Sequence, residues 1–176
     1  CRDLGARVSF VTGPASVPPP HGVDVIKVET AAQMAKAVTE ALPADAAIFA
    51  AAVADWRVDN AANQKIKKSG DGALPRLSFT ENPDILASVA QMKKGRPTLV
   101  VGFAAETENL VDHAQAKLAR KGCDWIVAND VSPETGIMGG AYNAVTLITR
   151  TGADPWPRLR KSETAARLAL RVAEAL

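Results

Sequence analysis

The residues best placed to do chemistry lie between positions 50 and 68, AAAVADWRVDNAANQKIKK. An alanine-rich apolar run breaks into Asp55, Trp56 and Arg57, crosses a polar segment, and ends in Lys65, Lys67 and Lys68. A buried strand that opens onto an acid, an aromatic ring and a cluster of ammonium groups looks like one wall of a ligand site. In a β-ribbon, Lys65 and Lys67 point to the same side and Lys68 to the other. Two ammonium groups on one side of a hinged flap could close over a polyphosphate or a developing oxyanion. Lysine suits that task because its point charge reorients freely. A ribbon face that simply meets solvent accounts for the same three lysines. Asp55 could hold a ribose hydroxyl, or it could cap the turn after the strand.

Two more groups carry charge in a suggestive pattern. Lys117 and Lys121 lie four apart and project from one helix edge. At 100° per residue, Lys121 falls roughly 20° from Ala114 and leans toward the inward stripe. The pair could meet an anion, or Lys121 could serve only as a cation at a helix C-terminus. Asn82, Pro83 and Asp84 form a helix start, with an N-cap, a proline at the first helical position and an acid at the second. Such an end leaves N–H groups unpaired and attracts anions. The charge of Asp84 makes a base or ribose a better neighbour there than a triphosphate, and the triplet is also simply a good helix start.

These groups must be positioned by something, and the chain supplies it. With 176 residues it suits one domain over residues 1–176 that buries roughly 70% of its unfolded surface. A charged fraction of 23% and an apolar fraction of 47% are those of an ordinary globule. A net charge of +2 gives no argument for nucleic acid or an anionic membrane. There is no apolar run of 18 residues to span a bilayer, and no signal peptide. Cys1 and Cys123 lack metal-ligand or CxxC spacing and read as incidental or buried thiols. His21 and His113 are isolated and read as surface residues rather than ligands.

Residues 1–4 read as the last turn of a helix with Gly5 as its C-cap, so the first βα unit is expected to be missing. Residues 7–12 (RVSFVT) and 23–28 (VDVIKV) are strands, joined by the proline-rich loop PASVPPPHG. Thr30 caps a helix whose Met34, Val38 and Leu42 make one apolar face, ended by Pro43. Residues 45–54 (DAAIFAAAVA) are apolar on both faces, as a central parallel strand requires. Residues 65–68 and 76–80 flank the turn SGDGALP and predict a projecting ribbon. Helices are expected from Pro83 to Gly95 and from Asn109 to Lys121, the second with an inner stripe of Leu110, Ala114 and Leu118 and Gly122 as its cap. Residues 98–103 and 124–128 are strands, and NDVSPETGIMGGAYN is a loop. Residues 144–149 form a strand, GADPWPRL a hairpin return, and 161–176 a closing helix. The alternation predicts a doubly wound α/β fold with a mostly parallel, Rossmann-like sheet and a β-ribbon flap. Ligands of such sheets bind at the carboxyl ends of the strands, where the loops after Ala54, Phe103 and Ala128 fall. Neither GxGxxG nor GxxxxGK[ST] occurs, and no Ser–His–Asp set suggests itself.

Taken together, AAAVADWR, KIKK, NPDIL, VGFAAET, AxxKLxRKxCD and IVANDVS resemble the phosphopantothenate–cysteine ligase family over nearly the whole of residues 1–176. In bacteria that family is usually the C-terminal half of a bifunctional protein whose other half is an FMN-dependent decarboxylase. The resemblance implies a cytoplasmic, dimeric enzyme of coenzyme A biosynthesis. It would activate 4′-phosphopantothenate with CTP and Mg2+ as an acyl-cytidylate, releasing pyrophosphate, and then join it to L-cysteine. It also implies that Phe49, Ala50, Ala51 and Asp55 line the nucleotide pocket, and that Lys65 assists the acyl-nucleotide step from the flap. Pro83, Asp84, Ile85, Leu86 and Phe103 would close around base and ribose, and Lys117 and Lys121 would meet the phosphates. Asn129 and Asp130 match a family motif without an assigned role. The family's first strand, its glycine-rich turn and a serine–glycine–lysine stretch with a key asparagine would precede Cys1, and without them little ligase activity is expected. Two other readings share the fold: a nicotinamide-dependent oxidoreductase with its glycine fingerprint upstream, and a non-catalytic nucleotide-binding module.

Overall fold

The computed structural model describes residues 1–59, 77–132, 135–137 and 139–176. Its centre is a five-stranded sheet built from β3 (Ala46–Phe49), β6 (Leu99–Glu106), β7 (Trp125–Asp130), β9 (Val145–Thr149) and β10 (Gly152–Pro155). The spatial order is β10-β9-β7-β6-β3. The strands β3, β6 and β7 run parallel, while β9 and β10 turn back as an antiparallel hairpin. The predicted mostly parallel sheet and the hairpin return at GADP are both present.

The central strands are apolar on both faces because both faces are covered. Val100, Val101, Ile126, Val127, Leu147 and Ile148 are fully buried. One face packs under α2 (Ile85–Ala90) and α3 (Leu110–Lys121) through Val89, Ala114 and Leu118. The other face packs under α4 (Lys161–Ala175) through Leu168 and Val172. The expected stripe Leu110, Ala114 and Leu118 is thus the inward face of α3. Gly122, at φ 71°, stops that helix in a left-handed conformation that a side chain would strain.

Outside the sheet, β1 (Ser9–Thr12) and β2 (Asp24–Lys27) form a parallel pair. They lead into α1 (Ala31–Glu40), whose Thr30 and Gln33 make reciprocal cap hydrogen bonds of 3.1 Å. Two short ribbons complete the description: β4 (Trp56–Val58) with β5 (Phe79–Glu81), and β8 (Tyr142–Asn143) with β11 (Leu159–Arg160). Gly5 caps a short 3-10 turn, Arg2–Leu4, as expected.

Four expectations are corrected. The strand after residue 45 is not central. Among the described residues β3 pairs only with β6, it ends at Phe49, and its apolar Ile48 is left 40% exposed. The helix after Asn82 stops at Ala90 instead of reaching Gly95, because Gln91 and Met92 close the last turn. The strand ending near Ala128 continues through Asn129 and Asp130, which ladder beside Ala105 and Glu106. Trp56, Arg57 and Val58, read as the start of a polar stretch, instead form a strand against β5. Lys65, Lys67, Lys68 and the turn at the tip of the expected flap lie outside the described residues.

Candidate functional site

The three parallel strands end on one edge of the sheet, at Phe49, Glu106 and Asp130. The chain leaves β3 as an exposed loop from Ala50 to Asp55. This loop is stapled to the segment ahead of α2. The Asn82 main-chain N–H donates to the Asp55 carbonyl at 2.8 Å, and the Asn82 side-chain amide donates to the Ala54 carbonyl at 2.8 Å. Two segments 28 residues apart therefore meet, and Asp55 stands beside Pro83 and Asp84.

That staple also corrects the helix start. Asn82 is committed to Ala54, so Asp84 is the N-cap of α2, and its Oδ1 accepts from the Ala87 N–H at 3.0 Å. The expected anion seat at the start of α2 therefore carries a carboxylate of its own. The other oxygen of Asp84 accepts from the Lys121 ammonium. Burial pushes the Asp84 carboxyl up, and the hydrogen bonds from Lys121 and Ala87 push it down. With the charges of Lys121 and Arg120 added, the net result lies below the usual carboxylate range.

One turn earlier on α3, Lys117 donates to the Phe103 carbonyl at 2.8 Å. One turn earlier again, His113 Nδ1 lies 3.2 Å from Glu106 Oε2. The edge formed by residues 113, 117 and 121 is thus tied to the end of β6 and to the start of α2. Three ties thus meet in this region: Asn82 to the loop at Asp55, Lys121 to Asp84 two residues after Asn82, and Lys117, one helical turn from Lys121, to Phe103. Phe49 ladders beside Gly102 and packs on the core, while Ala50 and Ala51 stand exposed at the rim. Leu86 lies over Gly102, where a Cβ would come 2.7 Å from its Cδ2. Ile85 is buried, 7% exposed.

The residues that the sequence reading missed are those that hold the site together. Asn82 was read as a helix cap, and the NPD triplet gave no sign of its bonds to a loop 28 residues away. Glu106 and Asp130 sit side by side as register partners. Hydrogen bonds from Ser132 hold the Asp130 carboxyl below its usual range, and its Oδ1 accepts from the Ser132 N–H at 2.9 Å as the chain turns. Cys123 is buried, and burial raises its thiol pKa. Among the described residues, no group of three or more His, Cys, Asp or Glu is placed to hold a metal ion, and no helix is long and apolar enough to cross a membrane.

The family model for the DNA/pantothenate metabolism flavoprotein C-terminal domain matches residues 1–176. The chain is 44% identical over 150 residues to the coenzyme A biosynthesis bifunctional protein CoaBC of Vibrio parahaemolyticus, covering 85% of this chain and 37% of that protein. It is 42% identical over 171 residues to CoaBC of Haemophilus influenzae, covering 97% of this chain and 42% of that protein. Among solved structures, the crystal structure of the C-terminal domain of CoaBC aligns at a TM-score of 0.76 and 32% identity, covering 97% of this chain and 75% of that one. The chain spans about two fifths of the length of the curated relatives it matches.

Proposed function

Because this chain belongs to the DNA/pantothenate metabolism flavoprotein C-terminal domain family, we propose that it is a phosphopantothenate–cysteine ligase acting in coenzyme A biosynthesis. The observation that carries the reading is three ties: Asn82 holds the Asp55 loop, Lys121 pairs with Asp84, and Lys117 bonds to Phe103. The first of them holds the loop that leaves the carboxyl end of β3, and α/β sheets take nucleotides at the carboxyl ends of their strands.

The reaction joins two anions and then exchanges an acyl group. An oxygen of the 4′-phosphopantothenate carboxylate attacks the α-phosphorus of CTP, the bridging P–O bond breaks, and pyrophosphate leaves. The cysteine amine then attacks the acyl carbon, CMP leaves with the oxygen, and the nitrogen gives up a proton. Bringing a carboxylate to a triphosphate concentrates negative charge, so the site needs cations. Lysine has three donors. Lys117 spends one on Phe103 and Lys121 spends one on Asp84, which leaves two apiece for phosphate oxygens. Asp55 would hold a ribose hydroxyl. Lys65, outside the described residues, is assigned to the developing charge on the acyl-nucleotide. Mg2+ accompanying the nucleotide would supply further charge neutralisation. Such ions bind through one or two carboxylates plus phosphates, and the register partners Glu106 and Asp130 would be the carboxylates that hold it. A homodimer and a cytoplasmic location belong to the same proposal.

The experiment is Lys65→Gln in the full polypeptide, with pyrophosphate release followed in the presence of CTP and phosphopantothenate. Removing a charge that stabilises the transition state is expected to lower the rate about 100-fold. An unchanged rate removes Lys65 from the mechanism. A wild-type protein that releases pyrophosphate with neither CTP nor ATP removes the ligase reading itself.

A further inference from the structure

A second cationic cluster stands on the ribbon formed by β8 and β11. Arg160 lies directly across from Tyr142 in that ladder. The guanidinium carbon of Arg160 is 5.4 Å from the Tyr142 ring centroid, and that of Arg158 is 5.8 Å from the same ring. Lys161 follows, with its main-chain N–H bonded to the Ala141 carbonyl at 2.9 Å.

The cluster has a fixed base. Trp156 is 5% exposed. Its main-chain N–H bonds to the Val145 carbonyl at 2.8 Å, and its indole N–H bonds to Asp154 at 2.9 Å. Prolines at 155 and 157 bracket it and restrict the chain further. Arg158 is therefore delivered from an anchored segment, and Arg160 by strand register.

Among the described residues, no carboxylate forms an ion pair with Arg158, Arg160 or Lys161. Glu163, one turn into α4, turns its Oε2 onto the Arg160 main-chain N–H at 2.8 Å instead. Like charges gathered without a counter-charge repel, and two guanidinium forks on one ring are pre-oriented for the oxygens of a phosphate. The location is informative as well. Val145 opens β9 in register with Asn129, and Asn129 is in register with Ala105. The ribbon that precedes Val145 thus stands at the same carboxyl edge of the sheet as Glu106. The strand it leads into, β9, lies beyond β7, two strand spacings or roughly 10 Å from β6.

We infer that Arg158, Arg160 and the Tyr142 ring form a binding site for the phosphate group of a small molecule, separate from the site at Lys117 and Lys121. The phosphate is either that of the phosphorylated co-substrate, which rests on the ligase reading, or that of a ligand outside the reaction, which does not.

The test uses the full polypeptide and inorganic phosphate as the probe. Phosphate titration is expected to shift the NMR signals of the Arg158 and Arg160 Nε–H groups and of the Tyr142 ring. The Tyr142 ring shifts, which both proteins retain, should weaken at least about tenfold in apparent affinity in the double variant Arg158→Gln/Arg160→Gln. They should persist in Lys117→Met/Lys121→Met. In the same arginine variant, a KM for phosphopantothenate raised about tenfold with the KM for CTP unchanged assigns the site to the co-substrate. Lost phosphate shifts with both KM values unchanged assign it to a ligand outside the reaction. If phosphate fails to move the arginine and tyrosine signals of the wild type, or moves the Tyr142 ring signals equally in the double variant, the site does not exist. A protein that shows the shifts but no ligase activity keeps the site and loses only the ligase reading.

Discussion

The side-chain ammonium of Lys117 donates a 2.8 Å hydrogen bond to the main-chain carbonyl of Phe103. That bond crosses from α3 to β6, one helical turn from the Lys121–Asp84 pair. The cations proposed to meet a nucleotide's phosphates are therefore also braces within the candidate site, and the two roles can be separated by experiment.

Replacing Lys117 by Met should weaken CTP binding about tenfold, measured by calorimetry on the full polypeptide. A hydrogen bond from a charged donor contributes about 1.5–3 kcal/mol, so a small loss of stability should accompany it. A lower Tm with unaltered CTP affinity would leave Lys117 a brace alone.

Acid should undo the Asp84 tie in a defined direction. The folded-state carboxyl titrates below its unfolded value, so the unfolded chain binds protons first as pH falls. The contribution is therefore complete above about pH 4, the unfolded value, and is lost as pH drops through the lower folded one. Urea midpoints of wild type and Lys121→Met should differ at pH 6 and converge toward pH 3. A gap that stays constant over that range rules out this tie as the source.

Gly102 is required by close packing. A Cβ there would stand 2.7 Å from Leu86 Cδ2 and 2.9 Å from Ile126 Cδ1. Gly102→Ala should cost about 1–2 kcal/mol, since overpacking is relieved only by moving those side chains. Displacing Leu86 should also weaken CTP. Denaturation and binding, measured on the same variant, check both.

Arg96 holds together four pieces of backbone. It donates to the Ala90, Pro97 and Gly122 carbonyls and pairs with Asp124 at 2.8 Å, and Asp124 in turn accepts from the Val100 N–H. Arg96→Met should cost about 3 kcal/mol in urea unfolding, because it leaves a largely covered carboxylate without its cation. Arg150 stands 3.8 Å from the other Asp124 oxygen, and a loss under about 0.5 kcal/mol, the range of ordinary surface substitutions, would show that Arg150 and water replace Arg96.

Much of the architecture was legible because it is local. Thr30 with Gln33, Gly122 after Lys121, and the stripe Leu110, Ala114 and Leu118 each declare an element within a few residues. The site was legible in part. Lys117 and Lys121 share a helix edge by spacing alone, but nothing near them names their partners. Asp84 lies 37 residues from Lys121 and Phe103 lies 14 from Lys117. Asn82 was misread for the same reason: a local rule offered it a cap, and a bond to a distant loop won.

The sequence by itself determined the alternation of strand and helix, the parallel core, and which charged residues stand apart from ordinary surface. Those properties follow from periodicity and propensity, which act over one or two turns. Only the tertiary structure decided that the chain stays in β-ladder through Asp130, that Asp84 closes its own helix end, and that two arginines converge on Tyr142. Each depends on register or on a contact between distant segments. Such contacts are selected by the packing of the whole sheet rather than by the residues beside them.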